Sequence, residues 1–167
     1  VNSENLFDEL TSKYLSVIRQ FNNIDQNKLN QLIKQIKNTK NIYIIGVHYS
    51  SLPAKHLVLG LQDLGINTYF AYDYMQASHL YNTIHEDDLL IYFSIEGNQN
   101  NVSRFFNLTN ASKNTYIITL NPKPKLLIEN TLILPGYTLS KQSIVDLQSI
   151  VVIFVELLLN MLHNTLK

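Results

Sequence analysis

Ile42-Tyr43-Ile44-Ile45-Gly46, running into Val47-His48-Tyr49-Ser50-Ser51 and then a stripe of Ala54, Leu57, Val58, Leu61 and Leu64, is the stretch on which the fold turns. Four β-favouring apolar residues in a row leave no polar face, so the run reads as a short strand buried on both sides. The stripe that follows steps by three and four, the spacing of a helix, and Gly65 ends it. Downstream the alternation repeats. A strand is expected at 66–70, a helix at 75–84, and a strand at Leu89-Leu90-Ile91-Tyr92-Phe93. A helical stripe covers 102–108, and Thr115-Tyr116-Ile117-Ile118-Thr119 is the fourth strand. Past Pro122 and Pro124 come a short helix near 126–128, the strand Leu132-Ile133-Leu134 and a long closing helix from about 140 to 163. Short apolar strands separated by helices specify an α/β fold, here a three-layer αβα sandwich around a five-stranded parallel sheet.

Toward the N-terminus the pattern is purely helical. Leu6, Phe7, Leu10, Tyr14, Val17, Ile18 and Phe21 form one amphipathic stripe. Asp25 is placed to cap a second helix with Leu29, Leu32, Ile33 and Ile36 on its apolar face. Residues 1–39 therefore read as leading helices and 40–167 as the sheet domain. No repeat or linker divides the chain, so one structural domain is expected overall.

Composition excludes several classes. The chain has 167 residues, 46% hydrophobic and 16% charged, which suits a packed core and not a disordered segment. Lys plus Arg and Asp plus Glu are both 13, so the basic surplus that nucleic-acid binding requires is missing. Cysteine is absent, which removes disulfides, thiol catalysis and thiolate metal sites and fits a reducing compartment. His48, His56, His79, His85 and His163 fall at no metal-ligand spacing, so neither a metal nor a cofactor is expected. The apolar segment 144–162 is broken by Asp146 and Glu156, and its uninterrupted run, 150–155, is far short of the roughly 20 residues of a bilayer span. It reads as a core helix. The polar opening Val1-Asn2-Ser3-Glu4-Asn5 carries no secretory signal pattern.

In an open parallel sheet, ligands bind beyond the carboxyl ends of the strands, where helix N-termini offer free N–H groups. Two such turns are built from small and hydroxyl residues. The first is Gly46-Val47-His48-Tyr49-Ser50-Ser51, in which Ser50 or Ser51 suits an N-cap and Pro53 the first helical turn. The second is Phe93-Ser94-Ile95-Glu96-Gly97-Asn98-Gln99, with a helix starting near Asn98. Either turn alone also reads as an ordinary capping turn. His48, at a strand's carboxyl end, suits donation to an anionic ligand or simply faces solvent.

Together these turns resemble the SIS (sugar isomerase) domain, whose pattern is G-x-G-x-S in the first loop and S-x-S-G-x-T in the second. Ala54-Lys55, Leu64-Gly65-Ile66, Glu86-Asp87-Asp88-Leu89 and Ile117-Ile118-Thr119 extend the likeness over roughly residues 40–162. The leading helices resemble those that join an SIS domain to the helix-turn-helix head of RpiR-type bacterial regulators. The resemblance implies a flavodoxin-like sheet order and a cytoplasmic homodimer that senses a phosphorylated sugar or a related small molecule. DNA would be reached only through a head that this stretch does not contain. The implied ligand-binding residues are His48, Ser50, Ser51, Ser94, Glu96, Gly97, Asn98 and Gln99. Lys141, before the last helix, is implied to reach the ligand, against the simpler view of a solvated charge.

The departures are as informative as the matches. His48 replaces the first loop's second Gly, Glu96 the second loop's second Ser, and Gln99 its Thr. A carboxylate accepts hydrogen bonds and cannot donate them. Facing a phosphate at about 4 Å and a dielectric of about 20, it repels by roughly 4 kcal/mol. Three outcomes follow: Glu96 turns outward, or it faces the pocket and selects an uncharged or amino-bearing sugar, or the pocket has lost its ligand and the domain only dimerises. Isomerisation, the enzymatic alternative, needs a general base poised near neutrality. Glu96 lies in the phosphate loop and not opposite the sugar carbons, and RpiR-type relatives sense their ligand, so no catalytic residue is assigned. The apolar last helix, with the stripes of the first helices, is expected to form a homodimer face in addition to the core.

Overall fold

The computed structural model describes residues 3–98, 114–126 and 128–166. Helix α1 (Ser3–Arg19) leads through a 3-10 turn at Gln20–Asn23 into α2 (Gln26–Asn38). Asp25 caps α2 as expected, its carboxylate accepting from the N–H groups of Asn27 at 3.0 Å and Lys28 at 3.1 Å. Five strands follow: β1 (Ile42–Gly46), β2 (Thr68–Ala71), β3 (Leu89–Phe93), β4 (Thr115–Thr119) and β5 (Thr131–Ile133). Between them lie α3 (Ser51–Asp63) and α4 (Tyr74–Tyr81), and α5 (Tyr137–Gln142) and α6 (Ser149–Thr165) close the chain. Every strand pair is parallel and the order is β2-β1-β3-β4-β5. This is the flavodoxin-like arrangement, with its switch point between β1 and β3.

The three central strands, β1, β3 and β4, have no wet face because both sides of the sheet are covered there, whereas Tyr69 on β2 and Ile133 on β5 are exposed at the edges. Ile42, Ile44, Leu89, Ile91, Phe93, Tyr116, Ile118 and Leu132 join the core shared with α2, α3 and α6. Their alternates, Tyr43, Ile45, Leu90, Tyr92 and Ile117, pack with Ala71 and with Ala77 of α4. This period-2 division is what an apolar run buried on both faces requires. The helical stripe expected at 102–108 lies outside the described residues.

Several boundaries differ from expectation, α4 ending at Tyr81 and not near 84, and β5 lying one residue early, among them. The second strand starts two residues late because the Ile66 N–H turns back to the Leu61 carbonyl at 2.9 Å to finish α3. No helix forms at Leu126 or Ile128, because the Leu126 N–H is drawn to the Gly97 carbonyl (3.0 Å) and the Lys125 N–H to Asn98 Oδ1 (2.8 Å). The long closing helix is two helices. Ser143 leaves the helical region with φ −84° and ψ 148°, and Ser140 Oγ accepts from the Leu147 N–H at 3.2 Å to turn the chain. In this turn Ile144 is fully exposed, so the apolar run that suggested continuity was not all core. Among the described residues no helix is long and apolar enough to cross a membrane.

Candidate functional site

Gly46 and Phe93, the last residues of β1 and β3, are register partners, so the loops that leave these strands start side by side at the switch point. A cavity of about 110 Å³ lies there. Val47, His48 and Ser50 line it from the first loop, residues 92–96 from β3 and the second loop, and Asp146 from the turn between α5 and α6. The sequence-derived residues His48, Ser50, Ser94 and Glu96 therefore share one cavity. Ser51, Gly97 and Asn98 do not line it, and Gln99 lies outside the described residues.

The first loop is shaped by close approach. A Cβ on Gly46 would lie 2.2 Å from the Ser50 carbonyl oxygen and 2.7 Å from Ala54 Cβ, so strand and helix meet at this angle only over glycine. His48 has φ 53°, the one non-glycine residue with positive φ among those described. The left-handed turn that a glycine would make easily is thus retained with a side chain, at a strain of about 1 kcal/mol. Ser50 occupies the N-cap position of α3 but makes no capping bond. Its hydroxyl instead meets Gln148 Nε2 at 3.5 Å, while Ser51 Oγ donates to the His48 carbonyl at 2.6 Å. The expected serine cap is therefore right in position and wrong in bonding.

The second loop is held from its carbonyl side. Thr119 Oγ1 donates to the Ile95 carbonyl at 2.8 Å and Asn121 Nδ2 to the Glu96 carbonyl at 2.9 Å. Ser94 continues the ladder through its N–H to the Ile118 carbonyl, 3.0 Å. Its Oγ accepts from the Gly97 N–H at 3.0 Å and bonds the buried Tyr92 hydroxyl, which Tyr74 also meets. Burial pushes the Tyr92 phenol far above its ordinary range, so it stays neutral. Gly97, at φ +63°, would place a Cβ 2.7 Å from Pro124 Cβ. Among the described residues the Ile95 and Glu96 N–H groups have no acceptor.

Glu96 neither points to bulk solvent nor stands alone. Its Oε2 accepts from the Tyr137 hydroxyl at 2.7 Å, and its Oε1 pairs with Lys141 Nζ at 2.5 Å. The ammonium also lies 5.2 Å from the Tyr137 ring centroid. Burial pushes the carboxyl up, but the hydrogen bonds from Lys141 and Tyr137 and the Lys141 charge outweigh it, and the group ends below its ordinary value. The bond to Glu96 raises Lys141 and Tyr137 in turn. Lys141 is thus no idle solvated charge. Tyr137 and Asp146 carried no signal in the sequence as part of a site, because the expected unbroken helix hid the turn that brings Asp146 to the cavity.

A larger cavity, about 390 Å³, lies off the switch point between the end of α1, the loops after β4 and β5, and the start of α5. Its wall is mostly apolar, and position, not size, selects the smaller cavity as the candidate site, because open α/β sheets bind ligands at the switch point. Among the described residues no cluster of His, Asp and Glu is arranged to hold a metal.

No protein-family model matches the sequence, and no curated protein does. Solved structures share the fold. The NanR protein of Vibrio vulnificus, complexed with ManNAc-6P, is 18% identical with a TM-score of 0.78, over 96% of this chain and 62% of that one. This chain therefore spans less than two thirds of NanR. The sugar isomerase domain of an RpiR transcription factor from Sphaerobacter thermophilus is 17% identical with a TM-score of 0.74, over 93% and 87%. A Methanococcus jannaschii protein, for which a 3-hexulose-6-phosphate isomerase function was inferred, is 22% identical with a TM-score of 0.69, over 97% and 91%. At these identities the shared property is the fold, that of SIS domains found in regulators and in phosphosugar isomerases alike.

Proposed function

We propose that this chain is the effector-sensing, dimerising domain of an RpiR-type transcription regulator of the cytoplasm. It holds a phosphorylated sugar or a relative of one at the β1/β3 switch point without turning it over. The carrying observation is that the one carboxylate of the second loop, Glu96, is tied to Lys141 and Tyr137 and depressed below its ordinary value. A base so stabilised in its ionised form is poorly matched to abstract a proton near neutrality. The same tie suits a sensor. A ligand touching Glu96 touches α5 through Lys141 and Tyr137, and a shift of α5 relative to the sheet biases how two protomers sit together. DNA would be met only through a separate head. The exposed apolar residues of α1 and Leu157 of α6 support pairing with a second copy.

The test is a thermal-shift panel of hexose and pentose phosphates, their unphosphorylated parents and amino sugars. A true effector at about 100 times its dissociation constant adds roughly 2.7 kcal/mol of stability. That raises the melting temperature by about 5–10 °C for a domain of this size. Aldose–ketose exchange on any binder separates sensor from isomerase: turnover overturns the sensor reading, and a panel with no binder leaves a dimerisation module.

A further inference from the structure

The larger cavity has no part in the switch-point site, yet it is built to hold something. Its volume, about 390 Å³, falls within the roughly 300–1,000 Å³ of pockets that take small molecules. The buried residues Val17, Ile24, Leu120, Leu134 and Leu139 give it an apolar base. Gln20, Asn23 and Thr138, all exposed, line it as well, and none of the three makes a side-chain hydrogen bond among the described residues. Two amides and a hydroxyl leave both donors and acceptors for a ligand. Among the described residues no Asp, Glu, Lys, Arg or His lines this cavity. A charged group entering it would lose its water and gain no counter-charge. Tyr137 belongs to the same wall, while its hydroxyl donates to Glu96 Oε2 at 2.7 Å, and Glu96 lines the cavity at the switch point.

We infer that the larger cavity is a second binding site, for an uncharged and mainly apolar small molecule bearing a hydroxyl or amide group, and that Tyr137 links it to Glu96. The charge-free wall sets the class, and the free side chains of Gln20, Asn23 and Thr138 supply the polar contacts that orient such a molecule. A second copy of the chain is the competing occupant. The exposed stripe that a dimer would bury, Leu6, Phe7 and Leu10, lies toward the opposite end of α1 from Val17, which lines the cavity. A ligand packed against Tyr137 bears on its bond to Glu96, and a change at Glu96 is returned to that ligand, because coupling between two sites is reciprocal. The inference does not depend on what the switch point binds, and its failure leaves the sensor reading standing.

The experiment is fluorescence titration of the whole chain with two dyes that differ by a sulfonate, N-phenyl-1-naphthylamine and 8-anilino-1-naphthalenesulfonate. Expected is saturable binding of the uncharged dye, about 10-fold or more tighter than that of the sulfonate, whose charge would meet no counter-charge in the wall. Ile133→Trp and Thr138→Trp, each at an exposed position on the cavity, should abolish that binding with little change in a circular-dichroism melt. Glu96→Ala, at a residue that does not line this cavity, should weaken the uncharged dye about 5-fold by freeing Tyr137. No saturable binding of the uncharged dye, a preference for the sulfonate, or binding that survives both tryptophan variants overturns the second site. A tryptophan variant that changes the sedimented mass overturns it too, since the cavity is then a contact between copies. Unchanged dye affinity in Glu96→Ala overturns the link to the switch point.

Discussion

At the residue scale, the pair Glu96–Lys141 carries a pH signature whose sign follows from the two shifts. Glu96 titrates below its ordinary value of 4.5 in the folded chain, so its contribution is complete above that value and is lost as pH falls through the folded one. Lys141 is raised above 10.5, so its share is present below that value and disappears as pH rises through the higher folded one. The Glu96 side chain is 36% exposed and that of Lys141 55%, so solvent screening keeps the contribution of the pair small. Glu96→Gln is expected to lower stability slightly near neutrality. In urea melts the difference from the unaltered chain should vanish once the pH lies well below 4.5. His48 yields a second prediction. Its φ of 53° means that His48→Gly relieves strain and, after the entropy that glycine adds to the unfolded chain, gains about 0.5 kcal/mol. A β-branched replacement, His48→Val, should instead cost roughly 1–2 kcal/mol by the same melts. The site was legible in sequence where backbone dictates residue type, as at Gly46 and Gly97. It was illegible where side chains from distant segments converge, because nothing local marks Tyr137 or Asp146 as neighbours of Glu96, and Lys141 was reached only through the family resemblance.

At the element scale, the apolar strands and the Asp25 cap could be read directly, since both are local patterns with a local cause. The closing helix could not. Hydrophobicity runs on through Ile144 and Val145, but burial depends on what lies opposite, and there the chain faces solvent. The contrast is measurable. Ile144, fully exposed, should tolerate Ile144→Ser within about 0.5 kcal/mol, whereas Leu158→Ala, at a position with 0% exposure, should cost about 2–5 kcal/mol. Similar costs at the two sites would mean that the turn between α5 and α6 is packed as core. The failure near residue 126 has a different origin. There the backbone donors of Lys125 and Leu126 were claimed by the second loop, and a claim made across the fold outweighs weak helical propensity.

At the scale of the whole molecule, α1 is the element that the rest of the fold does not account for. Its 17 residues span about 25 Å, yet only its last turns reach the core: Val17 is buried and Tyr14 and Ile18 are half-buried. Leu6, Phe7 and Leu10, on the same stripe, are 43%, 71% and 43% exposed. An isolated helix of this length is marginal in water, so a regular stripe standing clear of its own core is stabilised by something that covers it. A second copy suits the demand, because an isologous contact buries the same stripe twice. The chain should therefore sediment at twice its 19.3 kDa mass, and the double change Phe7→Glu with Leu10→Glu should return it to the monomer with the sheet core intact by circular dichroism. An unaltered chain that sediments as a monomer at micromolar concentration would remove the dimer, and with it the proposed route by which a ligand at the β1/β3 switch would be reported from one protomer to the other.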